Sequence, residues 1–506
     1  MIASILLSAG LAYFLSLPFA SVLQGGGYRL KALLRAKKQL IACAAYFLPA
    51  TAAETVVLLT LSPFLVAIWT FAFYFTTASF VLLTHRKMRI NMHYTRRLVR
   101  LLVLSTALYV VALIWLYFAS ASGVWATAPS SAPLFVVLSA VILGPIEKAN
   151  NHRYVKRAKR ALSRANATKI GVTGSYGKTS VKKYLEQLLS AEFCTLASPE
   201  NFNTPLGVAK TLTEATGREQ MLVLEMGARR RGDIAELCDI VRPDVGVITG
   251  IAPQHLETFG TMEAVLAEKN VLAERVPEEG LVVYNLTDPL VRKLYEKRRG
   301  KKVGVGYENA DYIISEQNFT SCGSTFTLAK GNERMRIETP CVGTACAIDI
   351  SVAAAVAVEL GVPWEKVASA AKRCYPPSHR FEVIKSGDVT VIDDGYNANP
   401  VGAAVALESL RYFEGERKIV YTSGIVELGK EEEVQNRALG QKISSVASVA
   451  VVCKGRYGDE VVEGLEERTT VFRVENTKEA SALFAKILKK GDVLLIMSDL
   501  PRDYLL

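Results

Sequence analysis

Residues 169–190 read KIGVTGSYGKTSVKKYLEQLLS. The β-branched, apolar start reads as a strand. The middle, Gly174-Ser175-Tyr176-Gly177, reads as a tight turn, and Lys178 onward as an amphipathic helix. Strand, glycine turn and helix in that order form the repeating unit of a parallel α/β sheet. The chemistry of the turn is specific. Glycines let backbone N–H groups at Gly174, Ser175, Tyr176, Gly177, Lys178, Thr179 and Ser180 turn toward phosphate oxygens, and the helix presents its positive end to them. Lys178 supplies a point charge for the outer phosphates, and the Thr179 hydroxyl is placed to coordinate Mg²⁺. Val172 stands where the longer phosphate-loop pattern has its first glycine, so this is the shorter TGxxGK[ST] form.

Upstream the composition changes. The chain has 506 residues and a net charge of +11, with mean hydropathy +0.21 and a pI near 9.1. At roughly 100–200 residues per domain this predicts about three domains. Nearly all long apolar runs precede residue 147. Residues 2–23, 40–61, 63–84, 100–121 and 127–146 each come near the ~20 residues a bilayer requires. Basic clusters follow the first, third and fifth runs, whereas 122–132 is uncharged. The positive-inside rule therefore predicts about five spans, the N-terminus outside, and everything after 147 in the cytoplasm at the inner membrane. Residues 24–39 could lie on the inner surface as a basic amphipathic helix. Glu54 is either an intramembrane functional carboxylate or part of a turn. The excess charge is mostly juxtamembrane, suited to anionic membrane lipid. No basic patch with interleaved aromatics points to nucleic acid. The eight cysteines contain no CxxC pair and read as free thiols in a reducing compartment.

Downstream, four segments extend the pattern: Asn201-Phe202-Asn203-Thr204-Pro205-Leu206-Gly207, Leu224-Glu225-Met226-Gly227-Ala228 at the end of an apolar strand, Ile248 to Gly260 (ITGIAPQHLETFG), and Lys269 fourteen residues after His255. Further on come Pro376-Pro377-Ser378-His379-Arg380-Phe381-Glu382 and then DDGYNANP, which holds Asp394, Tyr396, Asn397 and Asn399. Helices are predicted at 351–360, 401–415, 431–446 and 476–489. They alternate with strands DVTVIDD, KIVYTSG, SVAVVCK, TTVFRV and DVLLIM, as in a parallel Rossmann-like sheet.

Over about 168–500 the chain resembles the Mur ligase family, most of all its branch that adds D-alanyl-D-alanine. The organisation predicted from residues and resemblance together is a helical transmembrane region at 1–147 and a basic linker at 148–167. An α/β P-loop ATP-binding domain follows at 168–377, then an α/β Rossmann-like domain at 378–506. Transmembrane helices occupy the place of the family's UDP-binding domain. The resemblance implies an ATP-dependent, ADP-forming amide ligase of cell-wall precursor synthesis. A muramyl-peptide carboxylate, UDP- or lipid-linked, would be joined to an amino acid or dipeptide. It implies Mg²⁺ ligands at Thr179, Glu225 and His255, catalytic roles for Lys178, His255, Lys269 and Arg380, and possible carbamylation of Lys269. Arg380 and Asp394 would contact the nucleotide across the cleft, and Asn203, Thr204, Tyr396, Asn397 and Asn399 would line the substrate. Chemistry agrees with such a set: phosphoryl transfer between anions needs cations and a hard divalent metal, and arginine suits phosphate oxygens.

Three segments depart from the family pattern. Cys346 and Asp349 stand in Gly343-Thr344-Ala345-Cys346-Ala347-Ile348-Asp349, where the family has a His-Asn pair and a further Asn. Ser423-Gly424-Ile425-Val426-Glu427-Leu428-Gly429 lacks the usual Asp. Met497-Ser498-Asp499-Leu500 replaces a basic motif. Two other classes are weighed beside the ligase: a transport or signalling protein powered by the P-loop domain, and a membrane scaffold with a ligase-like domain. ATP turnover dependent on a muramyl peptide and an amine separates the ligase from both.

Overall fold

The computed structural model describes residues 2–25, 28, 94–119, 131–162, 166–199, 202–396 and 399–497. It divides into two compact units, Met1–His152 and Arg153–Leu506.

The first unit holds α1 (Ile2–Gly25), α2 (Arg96–Ala119) and most of α3 (Ala132–Leu162). Leu17, Leu23, Leu98, Leu101, Leu102 and Val136 pack the three together, and Arg100 pairs with buried Glu147 at 2.7 Å. Two described helices, Arg96–Trp115 and Ala132–Leu162, are long and apolar enough to cross a bilayer by length and composition, and Ala12–Gln24 is a shorter apolar stretch. Five spans are therefore not seen: the expected second and third, with Glu54 and the basic segment 29–39, lie outside the described residues. The basic segment from 148 continues α3 as helix to Leu162.

In the second unit the chain enters β1 (Thr168–Thr173), then α4 (Lys178–Leu189), β2 (Thr195–Ala197), α5 (Pro205–Glu214), β3 (Met221–Glu225), α6 (Asp233–Val241) and β4 (Val245–Ile248). It continues through α7 (Met262–Arg275), β5 (Leu281–Asn285), α8 (Pro289–Lys297) and β6 (Lys302–Gly306). The ribbon β7 (Tyr312–Thr320), β8 (Gly323–Lys330) and β9 (Glu333–Thr339) leads to α9 (Thr344–Glu359) and α10 (Trp364–Ala371). The sheet runs β2-β3-β1-β4-β5-β6-β7-β8-β9. It is parallel through β7 and antiparallel beyond. Its central strands are covered on both faces, which is why MLVL, just before Glu225, reads as an unbroken apolar run. Ile170, Val172 and Val223 pack with the all-buried Ala/Val stretch of α9 on one face. Leu222, Leu224 and Ile248 pack under α5 to α8 on the other, where the α3 tail adds Ala158.

The second sheet runs β10-β11-β15-β12-β13-β14. It is built from β10 (Glu382–Ser386), β11 (Val389–Asp393), α11 (Pro400–Ser409), β12 (Lys418–Thr422), α12 (Glu432–Val446), β13 (Val449–Cys453), α13 (Arg456–Glu463), β14 (Thr470–Val474), α14 (Thr477–Ile487) and β15 (Val493–Ile496). Only β10–β11 is antiparallel. The predicted strands and helices of this lobe appear. The β7–β9 ribbon, β10 and α13 are additions. No disulfide joins the described cysteines.

Candidate active site

The site forms at the carboxyl ends of β1, β3 and β4, where side chains leave a parallel sheet toward the following helices. After β1 the backbone turns at Gly177, φ 77°, which caps α4. A Cβ on Gly177 would stand 2.9 Å from Asp349 Oδ1, and one on Gly174 would collide with the Thr249 hydroxyl. The loop is fixed from below: Ser175 N–H donates to the Gly250 carbonyl at 2.6 Å, Tyr176 Oη donates to Asp288 at 2.9 Å, and Thr249 donates to the Tyr176 carbonyl. Burial and the neighbouring Asp288 carboxylate push the Tyr176 phenol far up, so it stays a neutral donor. The Ser175 hydroxyl is buried with no partner, an orphan polar atom of the kind a bound phosphate would satisfy.

Lys178 Nζ bridges to the Ser175 carbonyl at 3.0 Å. Burial pushes its pKa down to about 8; the Glu225 carboxylate opposes that and the Arg380 guanidinium adds to it. Glu225 is buried at the end of β3 and accepts from Thr179 Oγ1 at 3.0 Å and from Asn203 Nδ2 at 3.2 Å. Lys182, one turn along α4, pairs with it at 3.3 Å. Burial favours the neutral acid, but Lys182, Lys178 and these donors hold the Glu225 pKa low. An ionised carboxylate beside a hydroxyl is a donor set that fits Mg²⁺.

Lys269, on α7, is 2% exposed. Burial, reinforced by Lys178 and opposed by Glu268 and Glu225, drives its pKa to about 7. Glu268 beside it is spent on the N–H groups of Gly232 and Ile234 at 2.8 and 2.7 Å.

From the second lobe comes Arg380, stacked 4.4 Å over the Tyr396 ring. Its charge reaches Lys178, Asp349 and Asp394. Burial lifts Asp394 to about 7, and Arg380 and the Phe381 N–H oppose the rise. Phe381 N–H donates to Asp394 Oδ1 at 3.1 Å. Burial also raises Asp349 well above the carboxylate range.

The structure thus gathers Lys178, Thr179, Glu225, Asn203, Lys269, Arg380 and Asp394 within contact or electrostatic reach. His255 is not seen with Glu225. Its Nδ1–H donates to Glu427 of the second lobe, and among the described residues no group of three or more His, Cys, Asp or Glu is set to hold a metal. The Thr204 and Asn399 side chains, expected on substrate, cap α5 and α11 by accepting from Gly207 and Gly402. Ser180 lies in the first turn of α4, and Asn397 falls outside the described residues. Sequence reasoning missed Lys182, Asp288, Asp349 and Glu427 as site groups. Lys182 alone carried a signal, since it follows Lys178 by four residues on one helix face.

With this geometry in place the comparisons are specific. Residues 172–357 match the Mur ligase middle domain, and 379–500 match the Mur ligase glutamate ligase domain. A UDP-N-acetylmuramoyl-tripeptide–D-alanyl-D-alanine ligase of Mycobacterium bovis is 33% identical over 358 residues, 65% of this chain and 70% of the relative. The chain belongs to the Mur ligase family. The Bacillus subtilis enzyme of the same name is 28% identical over 343 residues, covering 67% of this chain and 74% of its own. A crystal structure of a MurF ligase from Thermotoga maritima in complex with ADP superposes with a TM-score of 0.63 at 27% identity, covering 70% of this chain and 82% of that one. This Mur ligase is accordingly an ATP-dependent acid–amino-acid ligase, and the transporter and scaffold readings give way. The matched family segments begin at residue 172 and leave the N-terminal helices unaccounted for.

Proposed function

We propose that the protein joins D-alanyl-D-alanine to the terminal carboxylate of a muramyl tripeptide, at the cytoplasmic face of the inner membrane. The observation that carries this reading is the meeting of two lobes on one phosphate loop. Arg380 of the six-stranded lobe lies close enough to Lys178 of the nine-stranded lobe to lower its pKa. The relatives named above supply the substrates.

The reaction runs in two steps. A tripeptide carboxylate oxygen attacks the γ-phosphorus of ATP, the bond to the β-phosphate oxygen breaks, and ADP leaves an acyl phosphate. The dipeptide amine then attacks the acyl carbon, phosphate departs with the electron pair, and the nitrogen sheds a proton. Loop N–H groups from Gly174 to Ser180 cradle the phosphates, Lys178 and Arg380 neutralise the charge that develops on them, and Asp394 holds the Arg380 segment through Phe381. Thr179 and Glu225 would hold one Mg²⁺ and His255 would be a ligand of a second divalent ion; such ions would supply charge neutralisation for phosphoryl oxygens. Lys269 is suited to carbamylation because CO₂ adds to the neutral amine. Near pH 7.5 a lysine of pKa about 7 is mostly neutral, against roughly one ordinary lysine in a thousand. Asn203, which donates to Glu225, would contact substrate there, and Tyr396 backs Arg380. The domains are proposed as 1–147, 148–167, 168–377 and 378–506. The apolar helices of the first would hold the catalytic lobes near anionic lipid, within reach of a UDP- or lipid-linked acceptor.

The test is turnover by the full chain in lipid vesicles, with muramyl tripeptide supplied on UDP and, separately, on a lipid diphosphate. ADP release that needs both tripeptide and D-alanyl-D-alanine, with a product of pentapeptide mass, is expected. ATP hydrolysis indifferent to both would overturn the assignment.

A further inference from the structure

His255 and Glu427 sit in different lobes, and both hold a positive φ, 54° and 64°, where a residue with a Cβ is uncommon. Two contacts join their segments. The imidazole Nδ1–H donates to the Glu427 carboxylate, and Leu256 N–H donates to the Glu427 carbonyl at 3.1 Å.

The loop that presents Glu427 is tied to the helix that follows it. Asn436, fully buried, accepts from Ile425 N–H at 2.8 Å and donates to the Ile425 and Glu432 carbonyls at 3.1 and 3.0 Å. It also donates to Glu460 at 3.0 Å. A pair of exposed charges that met by chance would need no such support, and exposed pairs contribute little. With Nδ1–H fixed on a carboxylate, the tautomer is set and the Nε2 lone pair is the free one; no described residue bonds it. Proteins hold metal-ligating imidazoles in this way, with a carboxylate on the second nitrogen fixing the ring and raising its basicity.

We infer that Glu427 is the positioning residue for His255 as a metal ligand, so that a divalent-cation site on the nine-stranded lobe is finished by a carboxylate from the six-stranded lobe. This rests on the reading of His255 as a ligand made above. It gives lobe closure a second task besides delivering Arg380: only when the lobes meet is the imidazole oriented.

Mn²⁺ in place of Mg²⁺ tests it on the full chain in detergent, by titration and pulsed electron paramagnetic resonance without substrate turnover. The wild type should show imidazole-nitrogen modulation that His255→Ala abolishes. Glu427→Ala should weaken Mn²⁺ binding at that site by roughly 10–100-fold and reduce the modulation, with Glu427→Asp restoring part of both. Unchanged affinity and modulation in Glu427→Ala would overturn the role of Glu427 while leaving His255 a ligand. Modulation absent from the wild type, or retained in His255→Ala, would overturn the reading of His255 itself, and this inference with it.

Discussion

Replacing Lys269 with methionine keeps the length of the side chain and removes its charge. The ammonium is 2% exposed, and burial is the largest cause of its fall from 10.5 to about 7. At about 1.36 kcal/mol per pH unit, that gap is of order 4–5 kcal/mol against the charged form. The sign follows from proton linkage. Between pH 7 and 10.5 the unfolded chain binds more protons at this site, so native stability rises with pH. The full penalty is present below pH 7 and is largely relieved by pH 10. A catalytic unit of roughly 350 residues unfolds with an entropy near 0.7 kcal/mol per kelvin. Lys269→Met should then raise the unfolding midpoint of the catalytic lobes by about 6 °C at pH 6 and by less than half that at pH 9. The assay is intrinsic-fluorescence melting of the full chain in CO₂-free buffer. Added bicarbonate at pH 8 should stabilise the wild type and not the variant. Equal midpoints at pH 6 would refute the claim that burial of the ammonium at 269 outweighs the carboxylates around it.

Two other outcomes are expected. Gly177→Ala puts a Cβ at φ 77° and 2.9 Å from Asp349 Oδ1, a backbone cost of about 1–2 kcal/mol; calorimetric titration should show ADP affinity down by about tenfold or more. Nucleotide phosphates should raise the Lys178 pKa from about 8, so ATP-analogue binding at pH 8 should take up a fraction of a proton. Titration in buffers of differing ionisation enthalpy would read that uptake, and Lys178→Ala should abolish it along with at least a hundredfold of turnover.

The phosphate loop and the alternating strands of the second lobe were legible because their signals are local. Glycine spacing and apolar runs report backbone geometry within a few residues. The β7–β9 ribbon was not, because half its positions face solvent and Tyr312–Thr320 is too polar to stand out from a loop. Helix α13 is eight residues long, short enough to pass for a turn. The site residues that escaped depend on pairing at a distance. Glu427 lies 172 positions from its imidazole, in a segment where the missing Asp drew the reading away from the Glu. Asp349 counted as a departure from a family motif, whereas in the fold its carboxyl stands over Gly177. Thr204 and Asn399 show the converse. Each belongs to a motif resembling a substrate segment, and each is explained by the first turn of the helix it caps.

The charges themselves argue for a mechanism in two lobes. On the nine-stranded side Lys178 and Lys269 are driven toward neutrality, while Glu225 is kept ionised by Lys182. On the other side Asp394 is driven toward its neutral acid while Arg380 stays within reach of Lys178. Two cations at close quarters are costly until an anion lies between them, and a triphosphate is such an anion. Its arrival would recharge Lys178 and repay the approach of Arg380, so nucleotide binding and lobe closure must favour each other. A mutation that removes Arg380 should therefore weaken the dependence of closure on ATP as well as the chemistry. The same reasoning places the acceptor carboxylate after the nucleotide and ahead of the amine, because it can approach the γ-phosphate only after these cations have been brought together.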